Sequence, residues 1–173
     1  MQTKIKYIIL AIFSFIVTTF FVSLNKENSY DTSSVIGKKI DEIELTSLNG
    51  DSFLNTKDLT KNNFTLINFW ASWCAPCRAE HQILMDISKK NKIRIIGINF
   101  KDKNSNAKVF LKELGNPFSF VAKDELGKKS IIFGIYGIPE SILINKELII
   151  LHKFIGPLNI EDYNKILDII NKV

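Results

Sequence analysis

The first 24 residues and the remainder of the chain follow different hydrophobic patterns. From Tyr7 to Leu24, eighteen residues pass without a charge (YIILAIFSFIVTTFFVSL). At 1.5 Å per residue a helix of that length extends about 27 Å, close to the hydrocarbon thickness of a bilayer. The segment reads either as a membrane anchor or as a secretory signal. It is longer than an ordinary signal core, and Val22-Ser23-Leu24-Asn25-Lys26 makes a poor cleavage site, which favours a retained anchor over residues 1–24. Residues 25–35 (NKENSYDTSSV) are polar and aperiodic, as a linker is. Residues 36–173 hold the folded domain.

Within that domain the pattern alternates between strand and helix periods. Ile40 to Leu48 and Asp51 to Leu54 flank Asn49-Gly50, a strong hairpin turn signal. Phe64 to Ala71 and Lys92 to Phe100 are nearly continuous apolar runs and predict buried strands. Between them Pro76 to Asn91 predicts a helix with Ala79, Ile83, Leu84 and Ile87 inward. Ser105 to Leu114 predicts another, with Val109, Phe110 and Leu114 inward and a stop at Gly115. A short strand over Phe118 to Ala122 and a short helix over Lys128 to Phe133 follow. Ser141 to Asn145 and Leu148 to Phe154 predict a hairpin across Lys146-Glu147, and Ile160 to Lys172 a closing amphipathic helix. The order implies one α/β domain with a mixed sheet.

Charge adds an orientation. Lys4 and Lys6 precede the apolar run, while Lys26 and Glu27 after it nearly cancel, so the positive-inside bias puts the N-terminus in the cytoplasm and the domain outside. Removing those two lysines from the 23 basic residues leaves 21 against 18 acidic ones. That excess is modest and its lysines are scattered among acids, which argues against nucleic-acid binding.

The candidate chemistry lies in Trp70-Ala71-Ser72-Trp73-Cys74-Ala75-Pro76-Cys77-Arg78-Ala79-Glu80, at a predicted strand-to-helix junction. Cys74 and Cys77 are the only 2 cysteines. A helix N-terminus offers unpaired N–H groups and partial positive charge, both of which favour thiolate. Cys74 is therefore the expected exposed nucleophile and Cys77, one turn on, the buried resolving thiol of a redox-active disulfide. A structural disulfide normally closes a longer loop. A zinc site would need His81 and His152 at irregular spacing, so no metal or cofactor is expected. A peroxidase would lack a distant resolving cysteine. Pro76 suits the first helical turn. Trp70 is expected in the core, and Trp73 beside the nucleophile as a shield or partner contact. Glu80 shares a helical face with Cys77 and reads from its position first as a solvated acid and second as a modulator of the thiols. His81 is expected at the surface or its boundary, and His152 as a structural histidine in an apolar strand.

Four blocks in order resemble the thioredoxin superfamily, and within it the membrane-tethered CcmG/DsbE group of thiol:disulfide interchange proteins, close to the TlpA and ResA types. They are Trp70 to His81, Gly97-Ile98-Asn99-Phe100-Lys101-Asp102, Leu111 to Phe118, and Gly134-Ile135-Tyr136-Gly137-Ile138-Pro139-Glu140. Ile138, where many relatives carry a small residue, and Ser141, where Thr is common, depart from the pattern. The resemblance implies a thioredoxin-like fold with an N-terminal β-hairpin extension and a single transmembrane helix. It also implies a reductase on the periplasmic side of a bacterial inner membrane. Its partners would be apocytochrome c, at the Cys-x-x-Cys-His haem site, or other cytochrome c maturation components, and a membrane electron donor of the DsbD/CcdA type.

For the site, the resemblance implies a catalytic Glu80 and a cis peptide before Pro139, although most X–Pro bonds are trans. It makes Trp73, Tyr136, Ile138, Pro139 and Glu140 the substrate-binding residues, with Glu140 an acidic feature of the rim. The rival functions are a general periplasmic disulfide oxidase or isomerase, which residues 75 and 76 do not exclude, and a redox-inactive thioredoxin-like binding module.

Overall fold

The computed structural model describes residues 2–24 and 35–172. The chain divides into two units, Met1–Asp31 and Thr32–Val173. In the first, α1 (Gln2–Leu24) is a single helix, long and apolar enough over Lys4–Ser23 to cross a membrane. Thr18 and Thr19 donate their hydroxyls to the carbonyls of Ser14 and Ile16, so these polar side chains are satisfied within the helix. Apart from Val35, the proposed linker 25–35 lies outside the described residues.

The second unit is built on five strands, β3 (Phe64–Trp70), β4 (Ile93–Phe100), β5 (Phe120–Asp124), β6 (Glu140–Asn145) and β7 (Ile150–Ile155). Their order across the sheet is β5-β4-β3-β6-β7. The first three run parallel, and β6 and β7 are antiparallel to their neighbours. Every residue of β3 is buried, as a central strand covered on both faces requires. Leu66 and Trp70 enter one apolar cluster with Leu84, Phe110 and Ile166; Ile67 and Phe69 enter the other with Ile96, Ile142 and Phe133. By the same alternation Asn68 faces the first cluster, the side covered by α3 (Ala75–Ser88), α4 (Asn104–Leu114) and α6 (Ile160–Asn171). Gly97 of β4 lies on this face because a Cβ there would stand 2.8 Å from both Phe118 Cγ and Trp70 Nε1.

Several expected elements differ in extent. The N-terminal hairpin is only β1 (Glu44–Thr46) on β2 (Phe53–Asn55), shorter than expected, with its turn closed by Gly50 N–H on Ser47 O at 3.0 Å. Ser47 N–H still donates to Ser52 O at 2.8 Å, while Leu48 N–H donates to Val121 O at 2.8 Å and Ser47 bridges Ala122 at the edge of β5. A short helix α2 (Thr56–Leu59), not expected, is closed by a reciprocal Asn55–Asp58 capping box. β5 starts two residues late because Asn116 Oδ1 caps the Phe118 N–H while Phe118 stacks on Trp70. β7 starts at Ile150, since Leu148 adopts a positive φ of 67° and belongs to the turn. The short helix α5 (Lys128–Ile132) forms as expected.

Two helices are rotated from their expected phase. In α4, Ala107 and Phe110 are buried and Val109 is exposed. In α3 the inward stripe is Cys77, Glu80, His81, Leu84 and Ile87, and Ala79 faces out. The second rotation carries Glu80 into the protein.

Candidate active site

β3 ends at Trp70, and the next residues turn the chain into α3, whose N-cap is Cys74 (φ −89°, ψ 106°). Its Sγ accepts a hydrogen bond from the Cys77 backbone N–H at 3.1 Å. The sulfur thus takes the place of the side-chain oxygen that usually caps a helix start. Pro76 falls in the first turn, where a missing N–H costs nothing. The two cysteines are joined as a disulfide, with Cα atoms 5.3 Å apart. In the dithiol form the same N–H and the positive end of α3 favour a Cys74 thiolate.

Cys74 is less open than expected. The residue is only 4% accessible, because both cysteines belong to the apolar cluster of Trp70 and Phe118, on which Ile138 also packs. Asp102 holds the turn in front of it: its carboxylate accepts Ser72 N–H at 2.7 Å, Ser72 Oγ–H at 2.9 Å and Asn99 Nδ2–H at 3.0 Å. Trp73 donates its indole N–H to Lys101 O at 3.2 Å and leaves its ring outside, 59% exposed.

Glu80 is 1% exposed, which excludes an ordinary solvated helix glutamate. Oε1 accepts from Asn68 Nδ2 and Oε2 from the Leu158 backbone N–H, both at 2.8 Å. Burial raises its pKa to about 7 against these two hydrogen bonds, and Asp162 adds to the rise. Asn68 sits opposite Ser141 in the β3–β6 ladder and also donates to Ser141 Oγ at 3.0 Å, while its own Oδ1 is buried without a partner. Turning that amide over would present Oδ1 to both neighbours, ready to accept from a protonated Glu80 and from the Ser141 hydroxyl.

The loop Gly134 to Glu140 closes the site with a cis peptide between Ile138 and Pro139. Tyr136 is 84% exposed, Ile138 half-buried and Pro139 buried. Glu140 corrects the expectation of an acidic rim, since the residue is 3% exposed and its carboxylate is turned inward. Its Oε1 accepts the backbone N–H groups of Tyr136 and Gly137 at 3.1 and 3.0 Å, and Oε2 faces Lys153 Nζ at 2.8 Å without an aligned donor. An anion neutralised in this way cannot draw basic residues of a partner.

The Redoxin family pattern matches residues 35–167, the stretch that builds the sheet and carries the dithiol. The chain is 41% identical over 128 residues to the thiol:disulfide interchange protein DsbE of Escherichia coli K12, covering 73% of this chain and 69% of that protein. The chain belongs to the redoxin family, among the DsbE-type thiol:disulfide interchange proteins. It is also 47% identical over 97 residues to the thiol:disulfide interchange protein CycY of Rhizobium leguminosarum, a match spanning 56% of this chain and 52% of that protein. A solved Chlorobium tepidum structure described as DsbE superposes with a TM-score of 0.69 at 26% identity, covering 79% of this chain and 96% of that one.

As a DsbE-type redoxin the protein is a thiol–disulfide oxidoreductase, and its fold is thioredoxin-like. Sequence reasoning missed four residues of this redoxin site: Asn68, Asp102 as the clamp of the turn, Leu158 and Lys153. An asparagine inside an otherwise apolar β3 and a lysine inside β7 are the signals that could have found two of them. His81 is buried, in correction of its expected position at the surface or its boundary. Its Nε2 lies 2.9 Å from Gly115 O, and its ring meets Phe110 edge-on. Burial lowers its pKa, so the neutral ring donates Nε2–H to that carbonyl. His152 is half-buried in β7 with its ring edge-on to Phe154. Among the described residues no group of three or more His, Cys, Asp or Glu gathers to hold a metal ion.

Proposed function

We propose that the protein is a membrane-anchored reductase that works outside the cytoplasmic membrane. In this reading it delivers electrons to disulfides in extended Cys-x-x-Cys segments, such as the haem site of apocytochrome c. The observation that carries the reading is the pairing of a helix-capping Cys74 with a buried Glu80 of pKa about 7 on the Cys77 face of α3. The apolar length of α1, with Lys4 and Lys6 before it, supports the anchor and its orientation.

In the reduced protein the Cys74 thiolate attacks one sulfur of the partner disulfide. A Cys74–partner bond forms, and the other partner sulfur leaves as a thiolate and takes a proton. Glu80 then accepts the Cys77 proton, and Cys77 attacks Cys74 Sγ. The internal disulfide closes, and the second partner sulfur departs and is protonated. The partner has gained two electrons and two protons, one proton released by Cys77 by way of Glu80 and the other taken from water, because Cys74 began as a thiolate. A membrane dithiol donor, of the DsbD/CcdA type by family resemblance, must then restore Cys74 and Cys77. Trp73, Tyr136 and Ile138 flank the reacting sulfurs in this reading, and the backbone beside Pro139 receives the extended partner as an added strand.

Full-length protein in proteoliposomes, reduced beforehand, tests both halves of the reading. In that form it should reduce an oxidised Cys-x-x-Cys-His peptide faster than the disulfide form of the same protein oxidises the dithiol peptide. Intact mass should show residues 2–24 retained, and protease added to spheroplasts should digest the domain. Faster oxidation than reduction would overturn the direction, and a domain protected from protease would overturn the location.

A further inference from the structure

β7 carries one charged residue in a largely apolar run (ILHKFI), and that residue, Lys153, pairs with Ile142 across the ladder. Its side chain is 3% exposed, a position lysine rarely occupies unless it is paired. Three contacts of its ammonium fall within one loop. Nζ donates to Gly134 O at 2.6 Å, faces the Glu140 carboxylate at 2.8 Å and lies 5.1 Å from the centre of the Tyr136 ring.

The flanks of that loop are held by backbone bonds from Ile135 N–H to Ser130 O and from Gly156 N–H to Pro139 O. Between those flanks, the N–H groups of Tyr136 and Gly137 are anchored on the Glu140 carboxylate, which is itself placed against Lys153. The ammonium also sits at the inner side of an aromatic ring that is otherwise open to solvent. One buried cation thus ties the first residue, the middle and the last residue of the loop together.

We propose that Lys153 is the positioning residue for partner recognition, fixing the loop so that an extended peptide is preferred over a small disulfide. This rests on the reading that Gly134 to Glu140 contacts the partner. It also defines what the loop can recognise. With Glu140 neutralised from behind, the loop presents an aromatic face, the Ile138 side chain and backbone groups, with no free negative charge of its own. The partner chemistry that fits is an extended segment with apolar or aromatic residues next to its cysteines, held by contacts that salt does not weaken.

The test compares the full-length parent with Lys153→Met and with the double variant Lys153→Met/Glu140→Gln. The measured quantities are KM and kcat for an oxidised Cys-x-x-Cys-His peptide and for the disulfide of 2-mercaptoethanol. In the double variant no buried charge is left unpaired, and the Gln oxygen still accepts the two loop N–H groups. Lys153→Met should raise the peptide KM, and the ratio of peptide to small-disulfide kcat/KM should fall by roughly tenfold or more, toward the 10²-fold that a misplaced group can cost. The double variant should keep that defect while melting close to the parent. A double variant with parental KM would make Lys153 a mere counter-ion and overturn the proposal. An unchanged ratio in both variants would do the same, and failure of both to fold would assign Lys153 to sheet stability instead. A parent inactive on the peptide but active on the small disulfide would overturn the proposed function, and this inference with it.

Discussion

Cys77→Ser is expected to turn the protein from a catalyst into a trap. Cys74 still caps α3 and still receives the residue 77 backbone N–H, because that bond does not involve the side chain of residue 77. Attack on a partner disulfide therefore proceeds, while the thiol that would expel the partner is gone. A covalent adduct should accumulate to one equivalent per protein, with turnover abolished. Mass spectrometry of the alkylated, proteolysed adduct should place the bond at Cys74. Cys74→Ser should give no adduct, since Cys77 lies inside α3, past the capping position whose N–H favours a thiolate. An adduct through Cys77 in that variant, with none through Cys74 in Cys77→Ser, would reverse the two roles.

Glu80→Gln is expected to have its largest effect between pH 7 and 8. With a pKa of about 7, the parental carboxylate gains its capacity to accept the Cys77 proton as pH rises through that value. Removing the base should slow release of the partner from the mixed disulfide by roughly 10²-fold in this range, the lower end for a positioned acid–base group. A second effect opposes it, because loss of a neighbouring negative charge makes the cysteine thiolates easier to form. The two separate with pH: near pH 5.5 the parental Glu80 is neutral, neither effect operates, and the rates should converge. Stopped-flow measurement of the release step across pH 5 to 9 checks this. Coincident profiles would leave Glu80 a purely structural residue.

The same carboxylate couples folding to pH. Below its ordinary value of 4.5 the group is protonated in both folded and unfolded chains. Between 4.5 and about 7 the unfolded chain releases the proton while the folded chain keeps it, so this group's contribution to stability falls as pH rises, and levels off above 7. The span amounts to a few kcal/mol in order of magnitude. The melting temperature of Glu80→Gln relative to the parent should accordingly increase from pH 5 to pH 8.

The dithiol, the central strands and the order of the elements were legible because each rests on local sequence. Two cysteines beside a proline at a strand end, and runs such as Phe64 to Trp70, need no knowledge of distant contacts. The buried polar network was not legible for the complementary reason. Asn68 meets Glu80 across twelve residues of sequence and Ser141 across 73, and only the β3–β6 register brings them together. Glu80 was ambiguous because the apolar stripe of α3 admits a phase with Ala79 inward. Setting the phase by an inward Cys77 places residues 80, 81, 84 and 87 inside, as the structure has them. Glu140 was misread as a rim acid because its counter-charge comes from the next strand, thirteen residues further on. The position of Lys153 within an apolar β7 was the clue to that pairing.

In the proposed function electrons flow from Cys74 and Cys77 to a Cys-x-x-Cys partner. That direction is tested most directly by equilibrium. Reduced full-length protein and the oxidised Cys-x-x-Cys-His peptide would be mixed in equal amounts under anaerobic conditions, quenched with acid, alkylated and weighed. Most of the peptide should end as the doubly alkylated dithiol and most of the protein as the unalkylated Cys74–Cys77 disulfide. A mixture in which the peptide stays oxidised and the protein keeps both thiols would contradict that direction.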